Sequence, residues 1–157
     1  MAFDPMEQRR IMGHFATGVT VITARVGEEL HGMTANAVTS LSLEPPLVLV
    51  AVDLKAGMHQ SLQNADGFAM NILAADQQDL SNRFATSGPK EFSDIPQTTA
   101  VTGAPIFTEA LGYVDCKISE IFSGGDHDIF VGEILAGDIG AGEPLLYYAG
   151  SYKFIKD

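Results

Sequence analysis

The 157-residue sequence predicts a mainly β fold with a few helices, arranged as a closed antiparallel barrel with the helices packed at its ends. About seven segments rich in β-branched and other apolar residues follow one another, separated by turns that contain glycine or proline. Three modest helical segments interrupt them, too few for a parallel doubly wound sheet. No fixed-period repeat or linker-like break occurs, so residues 1–157 are expected to form a single domain.

The charge composition restricts the possible partners. Nine basic residues stand against twenty acidic ones, which gives a formal net charge of −11. A surface of this sign repels polyanions, so nucleic acid is not expected as a partner. The longest apolar run, residues 47–52, is far shorter than the ~20 residues of a membrane-spanning helix. We therefore expect no membrane partner and, because no targeting segment is visible, a cytoplasmic location.

The first predicted helix runs from Pro5 to about Thr17. Asp4 is a suitable N-cap, Pro5 suits the first helical position, and Glu7 favours the first turn. We expect an apolar stripe on this helix to pack against the sheet. The stripe comprises Met6, Ile11, Met12 and Phe15.

The remaining elements follow from periodicity and from turn residues. A hairpin is predicted over residues 19–33, with its turn at 27–29, and the apolar run 47–52 is read as a buried strand. Short helices are expected at 58–64 and 76–85, with a polar loop at 86–100. Further strands are expected at 68–73, 113–122, 129–139 and 145–155.

Residues 34–42 combine hydroxyl-bearing and small side chains. Such a composition lets the main chain approach a ligand closely and offers polar groups at its edges, which makes this segment a candidate binding strand. A solvated β-hairpin segment is the alternative interpretation. Lys55 follows soon after, at the junction between the apolar strand and the next helix.

Several common sites are absent from the sequence. It contains no phosphate-loop motif and no serine nucleophile elbow, and the glycines of residues 137–142 are in the wrong order for a dinucleotide fingerprint. The four histidines lie far apart, and Cys116 is the single cysteine, so no metal site is indicated.

Four stretches together resemble the flavin reductase family, which has the FMN-binding split-barrel fold. They are residues 15–23, 32–37, 40–48 and 124–133, and they occur in the order found in the family. The resemblance covers the chain from about Gln8 to Phe154. It implies a Greek-key-like antiparallel split barrel that forms a homodimer.

The resemblance also implies an activity. Members of the family bind FMN, sometimes FAD, and reduce it with NADH or NADPH, and many supply the reduced flavin to a separate monooxygenase. Hydride passes from the nicotinamide to the flavin, so the protein mainly binds and positions the two molecules. A flavin-binding carrier or sensor without NAD(P)H turnover is the alternative function, and an oxidase of an organic substrate is a third.

By motif position, the resemblance implies three groups of flavin-binding residues. The isoalloxazine and ribityl chain would be lined by Thr34, Ala35, Asn36, Ser40, Leu41 and Ser42. The phosphate would lie near Asp53, Lys55 and Ala56, with Arg83, Phe84 and Lys90 as further candidates.

His127 resembles the position that contacts the nicotinamide, in a positioning role without obligatory acid–base chemistry. Its alternative is a turn histidine held by Asp126 or Asp128. One departure from the family pattern is Ser151, which stands where many relatives carry a basic residue before the final tyrosine, here Tyr152.

Overall fold

The computed structural model describes residues 2–157, which form a mainly β structure, as predicted. The helices are α1 (Pro5–Met12), α2 (Gly57–Asn64) and α3 (Gln78–Phe84), the last preceded by a 3-10 turn, Ala75–Gln77. The strands are β1 (Thr17–Gly18), β2 (Thr20–Val26), β3 (Glu29–Ala35), β4 (Val38–Leu43), β5 (Pro46–Asp53), β6 (Gly67–Ile72), β7 (Gln97–Thr98), β8 (Ile106–Phe107), β9 (Gly112–Gly124), β10 (His127–Ile139), β11 (Leu146–Tyr148) and β12 (Ser151–Lys153).

Seven strands form one antiparallel sheet in the order β3-β2-β6-β9-β10-β5-β4. Within residues 2–157 the two edge strands, β3 and β4, do not pair with each other, so the prediction of a closed barrel is wrong. They are nevertheless joined at one end through Asn36 and Ala37 alone. Two residues span only about 11 Å between the strand ends, so the sheet must curl until its edges meet there.

The curled sheet encloses one apolar core. Inward-facing residues come from both sides of the curl, including Ala35 on β3, Val50 on β5 and Phe130 on β10. Met58 and Leu62 of α2 join this core, which places the helix across one end of the curled sheet. The strand predicted at residues 47–52 is confirmed, although only alternate residues, such as Val50, are buried.

A second apolar cluster covers the outer face of β2 and β3. Its centre is Phe84 of α3, whose ring lies 5.2 Å from that of Phe92 and 5.8 Å from that of Phe107. Gly32 of β3 leaves the space that Phe84 occupies, because a Cβ at this position would lie 2.7 Å from the Phe84 ring. The helix predicted over residues 76–85 is confirmed, and this packing holds it against β3.

Helix α1 ends at Met12 rather than near Thr17, because the chain turns at Gly13 and is already extended in β1. Asp4 caps its start, as predicted, with Oδ1 accepting from the Met6 amide at 2.9 Å. The expected packing on the sheet is wrong, since α1 buries none of its side chains within the described chain. The exposed fractions are 70% for Met6, 48% for Ile11, 58% for Met12 and 70% for Phe15.

The single strand predicted at residues 145–155 is instead a hairpin of β11 and β12. Its turn lies at Ala149 and Gly150, with φ angles of 50° and 81°. Two successive positive φ angles suit a tight hairpin turn, but alanine is rarely found in that conformation. The same hairpin pairs with β1, where Thr17 lies opposite Tyr147.

The long connection between α3 and β9 is fixed near its far end by Asp115. This fully buried carboxylate accepts hydrogen bonds from the amides of Val101 and Thr102 at 2.7 and 2.9 Å and from the Thr102 hydroxyl at 2.6 Å. The neighbouring Cys116 is also buried, and burial raises the pKa of its thiol to about 12. Among the described residues, no helix is both long and apolar enough to cross a membrane.

Candidate active site

An open groove of about 1180 Å³ lies between β3, the start of α2 and the segment of residues 84–90. It brings together five of the residues selected from the sequence. These are Thr34, Lys55, Ala56, Phe84 and Lys90. The groove has an apolar wall, to which Leu30, Met33 and Met58 also contribute, and its cationic groups are the two lysines.

One wall of the groove is a sheet edge. Within residues 2–157, β3 pairs with β2 alone, so alternate residues of β3 direct their amide and carbonyl groups away from the sheet. Gly32 also lines the groove, although the space beside its Cα is filled by the Phe84 ring. The groove therefore offers peptide donors and acceptors beside apolar side chains such as Leu30 and Met33.

The other wall begins where β5 ends. Asp53 shapes the turn, since its side chain accepts from the Lys55 amide at 2.8 Å and its carbonyl accepts from the Ala56 amide at 3.0 Å. Helix α2 starts directly afterwards, and no side chain of the described residues caps it. Uncapped first-turn amides carry partial positive charge, so this end of the groove suits an anionic group beside Lys55.

His127 lies beside this junction but outside the groove wall. It follows the β9–β10 turn and stands opposite Asp53 in the pairing of β10 with β5. Its Nδ1 is 2.7 Å from the Asp126 carboxylate, and this hydrogen bond lowers the pKa of Asp126. The histidine is thus held by Asp126, one of the two neighbours considered for it.

The second neighbour, Asp128, has a different partner. Its carboxylate lies 2.7 Å from Nε2 of His59, and both side chains are largely buried. The His59 ring also packs edge-on against Phe130 at 5.7 Å. This contact joins the first turn of α2 to β10. The sequence gives no local signal for it, because the partners are 69 positions apart.

Arg83 and Lys90, the two other basic residues predicted to bind the phosphate, differ in whether they face the groove. Arg83 lies outside the groove and makes a bidentate ion pair with Asp94 at 2.7 and 2.8 Å. This pair raises the pKa of Arg83 and lowers that of Asp94, so binding a phosphate would require Arg83 to change partners. Lys90 lines the groove, with its ammonium group donating to the Gly88 carbonyl.

The other predicted flavin contacts on β3, β4 and the connection between them do not line the groove. Ala35 is buried and belongs to the core, while Asn36 is exposed and donates to the Thr17 hydroxyl at 3.2 Å. The remaining three lie on β4, the opposite edge of the sheet. They are Ser40, Leu41 and Ser42.

The groove also contains residues that the sequence analysis did not select. His31 lies on β3, and Gln60, Ser61 and Asn64 follow on α2. Asn64 lies four residues after Gln60 and three after Ser61, so the three side chains share one face of α2. This spacing is the sequence signal that could have indicated a polar face. Within residues 2–157, no three metal-binding side chains form a cluster.

Within residues 2–157 the chain is thus a curled antiparallel β protein with an open groove along the unpaired edge of β3. The chain belongs to the family described as flavin reductase like domain, whose model matches residues 12–156. This confirms the resemblance seen in the sequence.

Two relatives and one solved structure illustrate the match. The chain is 42% identical over 149 residues to the reductase component of 4-nitrophenol 4-monooxygenase/4-nitrocatechol 2-monooxygenase from Rhodococcus opacus, covering 95% of this chain and 80% of that protein. It is 39% identical to an NADH-dependent FAD reductase from Streptomyces globisporus, covering 96% and 85%. The structure of a flavin reductase in its native state superposes with a TM-score of 0.92 at 39% identity, covering 99% and 100%.

Proposed function

We propose that this protein is an NADH-dependent flavin reductase that supplies reduced flavin to a separate monooxygenase. The groove is the observation that carries the proposal, because it joins a free strand edge to a cationic, uncapped helix start. The relatives support the reaction, since one is named as an NADH-dependent FAD reductase and another as a monooxygenase reductase component.

The residues of the groove suit FMN, and FAD is the alternative flavin. An isoalloxazine needs an apolar surface with polar groups at its rim, which the half-buried Leu30 and Met33 and the edge of β3 provide. A flavin phosphate needs positive charge, which Lys55 and the α2 amides provide. The groove volume of about 1180 Å³ is large enough for FMN.

The chemistry requires positioning more than reactive side chains. A bound flavin supplies the electron-accepting ring, so this chain's residues have to orient it and limit the access of water. His127 would position the nicotinamide from the β9–β10 turn. The hydrogen bond to Asp126 restrains the imidazole for that role, and no residue need act as an acid or base.

The protein would act as a homodimer of split barrels. The large exposed apolar side chains favour a second copy, since Met6 and Phe15 are each 70% exposed and Leu43 of β4 is 90% exposed. A dimer would also give Ser40, Leu41 and Ser42 a route to a groove that they do not reach within one chain. A monomeric mass by light scattering would contradict this assembly. The single domain and the cytoplasmic location remain predictions.

Steady-state assays test the activity directly. NADH consumption with excess free FMN, FAD or riboflavin is expected, and NADPH serves as the comparison. Flavin binding without steady NADH consumption would instead favour the carrier or sensor. Flavin reduction by an organic substrate in the absence of nicotinamide would favour the oxidase.

His127→Ala tests the positioning role. We expect the KM for NADH to rise roughly tenfold while the flavin affinity changes little, because the imidazole lies outside the groove wall. Ser123→Ala is a matched control, since this exposed residue lies opposite Asp128 in the same hairpin. Unchanged NADH kinetics in His127→Ala would remove the histidine from the mechanism.

A further inference from the structure

We propose that His59 and Asp128 form a positioning pair that holds α2, and with it Lys55, in place for the phosphate of a bound flavin. The pair thereby gives the groove a preference for FMN over riboflavin, the flavin that lacks a phosphate. Neither side chain of the pair lines the groove, so it acts through the position of α2 and not by touching the ligand. This inference rests on the proposed function, since it concerns the phosphate end of the same groove.

The two side chains make a short contact that is largely shielded from water. Nε2 of His59 lies 2.7 Å from Oδ2 of Asp128, and the exposed fractions of the two side chains are 12% and 19%. Phe130 lies two residues after Asp128, on the same face of β10, and packs edge-on against the His59 ring at 5.7 Å. The imidazole is therefore held by packing as well as by the hydrogen bond, and salt screens such a pair much less than an exposed one.

Helix α2 has few other directional contacts. Met58 packs in the core, but apolar packing has no preferred direction and lets a short helix shift or rotate. Among the described residues, the contact of His59 with Asp128 is the one side-chain hydrogen bond that joins α2 to another element. The Ser61 hydroxyl bonds within the helix, to the Gly57 carbonyl. A hydrogen bond has a preferred distance and angle, so the pair fixes the helix where the packing does not.

The position of α2 determines that of Lys55, which lines the groove. Only Ala56 separates this lysine from the first residue of the helix. On its other side, the Leu54 amide donates to the Asp126 carbonyl at 3.0 Å, which fixes the chain to the β9–β10 turn. Asp128 follows two residues after Asp126, so the two contacts hold both sides of Lys55 to the start of β10. Without the pair, only one side would be held, and α2 could carry the lysine away from the phosphate.

Flavin titrations followed by fluorescence quenching test the inference without turnover. The wild type should bind FMN more tightly than riboflavin. His59→Leu keeps an apolar contact with Phe130 but removes the hydrogen bond, and it should lower this preference roughly fivefold, mainly through weaker FMN binding. An unchanged preference in His59→Leu, or a wild type that binds both flavins equally, would overturn the inference.

Two further variants separate position from charge. His59→Gln cannot carry a positive charge, but its side-chain amide can still donate to Asp128, so it should keep the wild-type preference. Asp128→Ala removes the acceptor without leaving an unpaired carboxylate, and it should show the same loss as His59→Leu. If His59→Gln loses as much of the preference as His59→Leu, the pair acts through charge, and the positioning role is refuted.

Thr23→Val is the control for stability. The Thr23 hydroxyl donates to the Pro105 carbonyl at 2.6 Å in a buried position outside the groove wall, so its loss should lower the free energy of unfolding without moving α2. Thr23→Val should keep the preference for FMN. If it loses that preference as His59→Leu does, general instability explains both results and the inference fails. Wild-type protein that binds FMN but does not oxidise NADH would refute the proposed function and leave this inference standing.

Discussion

Gly32→Ala should destabilise the protein through a steric conflict at the groove. The new Cβ would lie 2.7 Å from two ring carbons of Phe84, about 1 Å closer than carbon atoms normally approach. Phe84 is only 1% exposed and packs against Phe92 and Phe107, so its ring has little space in which to move. Overpacking of this kind costs about 1–3 kcal/mol.

Part of this cost is offset in the unfolded chain. Replacing glycine with alanine restricts the unfolded state and stabilises by about 0.4–1 kcal/mol where the backbone allows it. The expected net loss for Gly32→Ala is therefore about 1.5 kcal/mol. Gly18→Ala is the matched control, because Gly18 also lies in a strand and a Cβ added there would have no described atom within 4 Å.

Urea unfolding of both variants measures the steric cost as the difference between their unfolding free energies, about 2 kcal/mol. Adding Phe84→Leu should make room for the new methyl group and at least halve the penalty of Gly32→Ala. If Gly32→Ala proves as stable as Gly18→Ala, the packing of Phe84 onto Gly32 cannot be as tight as described.

Two further predictions concern ionisable groups. Burial raises the pKa of Cys116 to about 12, and the thiolate is the form that reacts with iodoacetamide. At pH 8 iodoacetamide should therefore label Cys116 only as urea unfolds the protein. Labelling of the folded protein at the rate of a free thiol would contradict this prediction. Arg83 lowers the pKa of Asp94, so the ion pair should stabilise the fold above the ordinary aspartate pKa of about 3.9 and stop doing so as pH falls through the lowered value. The urea midpoints of Asp94→Asn and the wild type should therefore differ at neutral pH and converge toward pH 2, and a gap that widens in acid would refute the assignment.

The elements that local sequence determines were predicted well. The Asp4-Pro5 start of α1, the turn at residues 27–28 and the apolar strand β5 all have their signal within a few neighbouring residues. The C-terminal hairpin was missed because its local signal is absent. Ala149 occupies a turn position where glycine or asparagine usually indicates a hairpin.

Non-local contacts explain the other differences. An apolar stripe such as that of α1 looks the same whether it packs on its own sheet or on another surface, so its exposure could not be read from periodicity. Similarly, residues 34–42 form one segment in sequence, yet the chain divides them between two sheet edges. Only Thr34 of that segment lies in the groove wall.

The availability of charged groups also depends on distant partners. Lys55 and Arg83 are both basic residues near helix ends, but Arg83 is bound to Asp94, eleven positions away. The contact between His59 and Asp128 depends likewise on the meeting of α2 with β10. The sequence suggested that Lys55 and Arg83 both bind an anion, but it could not show that Arg83 already pairs with Asp94.

Asp115 anchors only one part of the long connection between α3 and β9, so the two parts of this connection differ in how freely their sequence can change. Residues 101–102 are fixed to a buried carboxylate, whereas the exposed residues 86–89 reach the groove without a comparable buried anchor among the described residues. Insertions near Ser87 could therefore reshape the rim of the groove while the curled sheet keeps its structure. New ligand preferences could evolve, or be engineered, in this short stretch without any cost to the core.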